Sequence, residues 1–171
     1  VSDWNCRHVV LTGGEPMIAP DLPALAATLR KAGKHITIET AATVPPKGIE
    51  CDLASLSPKL SNSTPPAERD PGWAKNHEET RLRPEVIADW IKNYKFQLKF
   101  VVSSEKDLAE IKSLLTHLSA VPTDRVLLMP EGADSKTLAA RYPWLVEICK
   151  REGFRFCPRL QIELFGHTRG T

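Results

Sequence analysis

The sequence predicts an α/β fold of mostly parallel strands, a curved open sheet or a partial (β/α) barrel, formed as one incomplete domain over residues 1–171. Short runs rich in β-branched residues alternate with amphipathic helical patterns, and that alternation implies parallel pairing through right-handed crossovers. With 42% hydrophobic residues and a formal net charge of +2, the chain has the makeup of a globular protein with one sizeable core. Its 171 residues fall short of the roughly 250 of a complete eight-fold barrel, so only part of one fits.

The strand runs are H-V-V-L-T at 8–12, H-I-T-I-E-T at 35–40, L-A-S-L-S at 53–57, Q-L-K-F-V-V at 97–102 and V-L-L-M at 126–129. Between the first two, Asp21 is placed to cap a helix whose Leu22, Leu25, Ala26, Leu29 and Ala32 share one face, with Gly33 closing it in the left-handed conformation. Pro84 opens a second helix, its stripe Val86, Ile87, Trp90, Ile91 and Tyr94 facing the core. Ser104 begins a capping-box-like S-E-K-D, and Leu108, Ile111, Leu114, Leu115 and Leu118 then repeat at helical spacing. A last helical stretch carries Leu138, Tyr142, Leu145, Val146 and Cys149, is expected to break or kink at Pro143, and stops at Gly153. Residues 60–83, crowded with Pro, Ser, Asn and charge, show no apolar period and read as a long loop, either a lid or a solvated insertion.

Both signs of charge are scattered, so nothing in the sequence argues for direct nucleic-acid binding or a membrane surface. No apolar run approaches the roughly 18 residues of a membrane span, and the opening V-S-D-W-N-C-R-H lacks a signal-peptide layout; the expected location is cytoplasmic. Cys6, Cys51, Cys149 and Cys157 are dispersed and read as reduced thiols, without the spacing of a metal knuckle. The five histidines likewise lack ligand spacing. Val1 stands only a few residues before the first strand run, so the chain is expected to be a fragment missing its first strand or strands.

In parallel α/β folds ligands gather at the carboxyl ends of the strands. Here those ends are polar. The first leaves through Thr12-Gly13-Gly14-Glu15-Pro16, where the glycines allow close backbone approach and Glu15 offers a carboxylate to an ammonium. The others leave through Glu39 to Thr43, Ser57-Pro58-Lys59, Lys99 to Ser103 and Met129-Pro130-Glu131-Gly132. Any one could be an ordinary turn; their repetition along one rim suits a zwitterion carrying a ribose better than a metal or an acyl group. Arg159 and Arg169 of the tail are placed to receive a carboxylate or to stay solvated. No nucleophile elbow or Ser-His-Asp set is readable.

L-T-G-G-E-P at 11–16, E-T-A-A-T at 39–43, S-P-K-L at 57–60, K-F-V-V at 99–102, L-M-P-E-G at 128–132 and R-L-Q-I-E-L-F-G-H-T-R-G-T at 159–171 together resemble the 7-carboxy-7-deazaguanine synthase family of radical S-adenosylmethionine enzymes. G-G-E-P alone marks only the superfamily; S-P-K-L and the R-G-T tail narrow it. The resemblance implies an incomplete radical-type barrel, a homodimer, an electron donor such as flavodoxin, and a [4Fe-4S] cluster that cleaves S-adenosylmethionine. The reaction it implies, assisted by Mg2+, contracts 6-carboxy-5,6,7,8-tetrahydropterin to 7-carboxy-7-deazaguanine with loss of ammonia, on the way to queuosine in tRNA.

By the same resemblance Gly14, Glu15, Ser57, Pro58, Lys59, Leu128, Met129, Pro130 and Glu131 would hold S-adenosylmethionine. Thr12 and the terminal Thr171 would meet the pterin, and Glu39 and Lys99 are further candidates. The family's cluster cysteines and magnesium ligand precede G-G-E-P, where this chain offers only Cys6, so the chain by itself is expected to be inactive. Two other readings stay open on the residues: another radical enzyme such as an activating enzyme, and a non-catalytic half-barrel that binds a nucleotide.

Overall fold

A computed structural model describes residues 5–66 and 68–168. Six strands lie side by side in chain order: β1 (His8–Leu11), β2 (His35–Thr40), β3 (Leu53–Leu56), β4 (Phe96–Val102), β5 (Val126–Pro130) and β6 (Arg155–Phe156). Every pairing is parallel. Sequential order with parallel pairing means that each crossover turns the same way, which is how a barrel sector grows. Among the described residues the sheet does not close on itself.

The helices are α1 (Leu22–Lys31), α2 (Pro71–Thr80), α3 (Pro84–Asn93), α4 (Lys106–His117), α5 (Ser135–Glu152) and α6 (Leu160–Phe165). Ile36, Ile38, Leu56, Leu98, Phe100 and Leu128, projecting from one face of the sheet, form the core with Ala26 and Leu29 of α1, Ile87 and Trp90 of α3, Ile111 of α4 and Leu145 and Ile148 of α5. Trp90 is fully buried, and its indole N–H donates to the Val44 carbonyl at 3.0 Å, so the largest core side chain leaves no donor unpaired.

The opposite face is the one a barrel would enclose. Burial alternates along β2 and from Gln97 onward along β4, with Thr37, Glu39 and Lys99 half-buried between buried neighbours and Gln97 half-buried before Leu98. The register puts Glu39 beside Ser55, Ser55 beside Gln97, and Lys99 beside Leu127. One face is thus apolar under helices and the other is polar.

Several local expectations need correction. Residues 60–83 are not a loop throughout, since α2 occupies Pro71–Thr80; Asp70 caps it, accepting from the Trp73 N–H at 2.9 Å. α5 runs unbroken through Pro143, because the residue whose carbonyl loses its partner, Ala139, is exposed and water can satisfy it. Asp21 stands at the start of α1 in helical conformation without accepting a capping bond. Ser104 does not cap α4 either: Asp107 reaches back instead, its Oδ2 accepting from the backbone N–H groups of Ser103 and Ser104 at 2.7 and 3.1 Å. Gly33 ends α1 as expected at φ +71°, with Gly33 N donating to Arg30 O and Lys34 N to Leu29 O in a Schellman closure. β6 and α6 were not foreseen, nor was α2.

Candidate functional site

The β1 exit turns into a single 3-10 turn at Pro16–Ile18, and Glu15 just before it points toward the end of β2. Its Oε1 accepts from Thr40 Oγ1 at 2.7 Å and Met17 N at 3.1 Å, while Oε2 accepts from Ala41 N at 2.9 Å. A carboxylate has about four lone-pair positions, so three donors leave room for one more. Thr40 in turn accepts from Ala42 N at 3.0 Å and so supports Ala42, a fully buried residue held at φ +57°. Left-handed alanine costs roughly 1–2 kcal/mol, and such strain persists where the surroundings over-determine it. Gly13 and Gly14 meet nothing within 4 Å of where a Cβ would stand, so the backbone beside Glu15 is open to a ligand.

On β2 and β4, Glu39 and Lys99 form an ion pair across the polar face. Ser57 leaves β3 with its N–H bonded to Thr40 O at 2.8 Å, and Pro58 is buried beneath the rim. Glu39, Ser57, Lys59, Lys99, Val101, Met129, Arg159 and Gln161 line a cavity of about 370 Å³ at the strand ends. Three cations against one carboxylate leave this cavity positive. Burial, then the Lys99 ammonium, hold the Lys59 amine below the usual lysine range, with Glu39 and Glu15 pulling the other way.

Of the residues singled out from the sequence, Ser57, Lys59, Met129, Glu39, Lys99 and Arg159 come together in this cavity, and Glu15 lies close enough for its charge to act on Lys59. Thr12 is exposed at the end of β1. Leu128 and Pro130 alternate with Met129 and are buried, Leu128 completely, so their side chains face the core and a contact with a ligand would fall to their backbone. Glu131 is also turned away, paired with Arg141 of α5 outside the cavity. Thr171 and Arg169 lie outside the described residues.

Gln161 was missed. Arg159 and Gln161 sit at the start of α6, where a six-residue helix leaves no periodic signal; Arg159 is anchored by its Nε donating to Pro130 O at 3.1 Å. Among the described residues no group of three His, Cys, Asp or Glu side chains could hold a metal. Burial pushes the Cys51 and Cys149 thiols up to about 11, so both stay protonated at neutral pH. Nor is any described helix long and apolar enough to cross a membrane.

No protein-family model matches the chain. Over 172 residues, all of this chain and 66% of the relative, it is 47% identical to the 7-carboxy-7-deazaguanine synthase of Rhodopirellula baltica. The like-named proteins of Halobacterium salinarum and Pyrobaculum aerophilum are 40% and 35% identical, with 94% and 95% of this chain and 66% and 67% of theirs covered. The chain therefore spans about two thirds of the length of these curated relatives. A crystal structure of QueE from Escherichia coli shares its fold, with a TM-score of 0.63 at 24% identity over 92% of this chain and 58% of the other.

Proposed function

The chain belongs to the 7-carboxy-7-deazaguanine synthase family, and we propose that it supplies the ligand-binding rim of an enzyme that contracts 6-carboxy-5,6,7,8-tetrahydropterin to 7-carboxy-7-deazaguanine with loss of ammonia, within queuosine biosynthesis. The observation that carries this reading is the positive cavity at the strand ends, lined by Lys59, Lys99 and Arg159 against the single Glu39 carboxylate. Carboxylate-bearing ligands suit that balance. The relatives' shared name favours a synthase over an activating enzyme or an inert half-barrel.

The residues fit S-adenosylmethionine. The open backbone at Gly13 and Gly14 leaves space for its methionine end, the remaining lone-pair position of Glu15 accepts its ammonium, and Ser57 and Lys59 take its carboxylate or ribose. Pro58 stiffens the segment that presents them. Met129 closes the cavity from β5, while Leu128, Pro130 and Glu131 contribute backbone alone. When bound, S-adenosylmethionine supplies the radical that takes hydrogen from the pterin. Thr12, exposed beside the cavity's edge of the sheet, and Thr171 are the proposed pterin contacts; Glu39, held by Lys99, is placed to accept a proton or hydrogen bond from it.

The four cysteines of this chain do not fit a [4Fe-4S] cluster, being scattered and partly buried. The cluster and Mg2+, like the homodimer partner and an electron donor such as flavodoxin, belong to the reading of the whole enzyme.

Gly14→Val tests the reading without disturbing the fold, because its Cβ meets nothing within 4 Å and Gly14 is not among the glycines at positive φ. In the full-length protein, calorimetric titration with S-adenosylmethionine should show saturable binding that the valine abolishes while the melting temperature holds. Equal binding by both proteins refutes the placement.

A further inference from the structure

The segment that follows Lys59 is tied down far more tightly than a lid needs. Arg81, immediately after α2, has a side chain only 12% exposed and sends it back across the rim. Its NH1 donates to the backbone carbonyl of Lys59 at 2.9 Å and to Glu110 Oε1 of α4 at 2.6 Å, and its Nε donates to Glu78 Oε2 of α2 at 2.7 Å. Glu110 meanwhile takes the Ser61 N–H and hydroxyl on its other oxygen, at 2.9 and 2.8 Å. Asn62 Nδ2 donates to Val101 O at 3.0 Å and to Asp107 Oδ2 at 2.8 Å. Upstream, Ser57 N is fixed to Thr40 O at 2.8 Å.

Each bond alone is ordinary. Together they clamp the main chain on both sides of Lys59 while leaving its ammonium in the positive cavity. We propose that Arg81 is a positioning residue: its guanidinium, braced by Glu78 and Glu110, fixes the Lys59 carbonyl and so sets the Ser57-Pro58-Lys59 segment in the conformation that receives S-adenosylmethionine. This rests on the cofactor placement given under Proposed function. A planar fork with several donors is suited to three acceptors in fixed directions, which a lysine ammonium on a flexible stem is not. The role explains why residues 60–83, outside the barrel repeat, fold back onto the rim and bury an arginine there.

The test uses the full-length protein and its Arg81→Met, Arg81→Lys and Glu110→Gln variants. Two quantities are measured: the affinity for S-adenosylmethionine, and amide hydrogen exchange over residues 57–63 compared with β4. Arg81→Met should weaken S-adenosylmethionine binding about tenfold, the scale of one charge-assisted hydrogen bond, and speed exchange over 57–63 while leaving β4 protected. Arg81→Lys should fall between, and Glu110→Gln should loosen the same amides with a smaller loss of affinity. If the wild type binds and Arg81→Met binds within twofold of it, the positioning role falls and the cofactor placement stands. A wild type that does not bind removes the placement and this inference with it. Should Arg81→Met fail to fold, Glu110→Gln decides, and unchanged affinity there overturns the proposal.

Discussion

Glu15 is the residue whose two possible duties separate most cleanly by measurement. As a clamp, its carboxylate joins the β1 exit to the β2 exit through Met17 N, Thr40 Oγ1 and Ala41 N. Glu15→Ala leaves two backbone N–H groups and one hydroxyl seeking other partners. A hydrogen bond to a charged group contributes about 1.5–3 kcal/mol, but the half-buried site admits some water and the three bonds share one carboxylate, so the sum is best taken as about 2–3 kcal/mol. For a chain of this size that corresponds to a fall of roughly 5–10 °C in melting temperature. Equilibrium urea unfolding should show the loss as a lower midpoint with an unchanged slope. Thr40→Val, which keeps the shape and removes the hydroxyl, should cost about 1 kcal/mol, and the double variant should cost less than the two together because both break the same contact. A Glu15→Ala protein within about 0.5 kcal/mol of wild type, with additive Thr40→Val, refutes the clamp and leaves the carboxylate to the ligand alone.

Two further outcomes follow from the packing. Burial works against the Asp107 carboxylate, but donors from Ser103, Asn62 and Ser104 outweigh it and hold its pKa below the ordinary carboxylate range. Its contribution is therefore complete above the unfolded value near pH 4 and disappears as pH falls through the lower folded value. Asp107→Asn should cost about 1–2 kcal/mol at neutral pH and progressively less in acid, read by urea unfolding across pH; a pH-independent difference contradicts the assignment. Gly33 and Gly153 stand at φ +71° and +72°, yet an added Cβ meets open space at the first and Thr123 Oγ1 at 3.1 Å at the second. Gly33→Ala should destabilise by about 1 kcal/mol and Gly153→Ala by more, about 2 kcal/mol, in thermal or urea unfolding; equal costs would show that Thr123 yields freely.

The strands that carry the sheet were legible because short apolar runs of four to seven residues, β-branched in β1, β2 and β4 and leucine-rich in β3 and β5, are the signal a buried parallel sheet writes. β6, with two residues, is too short to write one. α2 was hidden for a different reason: it buries only Ala74 and exposes Trp73, so no apolar stripe existed to be read. Its beginning was nonetheless present as Asp70-Pro71, a cap followed by proline at the first helical position. At the site, Ser57, Lys59 and Met129 could be placed from their positions at strand ends, and strict alternation would have set Leu128 apart from Met129. The grip of Arg81 on Lys59 could not be seen, since it depends on where residues 60–83 return, and no local pattern encodes that.

The two faces of the sheet carry the functional argument further than any one motif does. A parallel sheet covered on both faces by apolar layers reads as nearly continuous hydrophobic runs. β2 and β4 alternate instead, and the face turned away from α1, α3, α4 and α5 holds Thr37, Glu39, Gln97 and Lys99. Its groups are partnered sideways, Gln97 Nε2 donating to Ser55 Oγ at 3.0 Å and Lys99 pairing with Glu39, so they do not stand as isolated buried polar atoms. Solvation alone would not select a fixed ion pair beside further cations. A surface that keeps its charges ordered while leaving Lys59 and Arg159 at its upper edge is arranged as the wall of a polar cavity. Replacing the pair by a hydrophobic couple of similar volume would therefore be tolerated by the fold, whose core lies on the other face, and would be felt by the ligand.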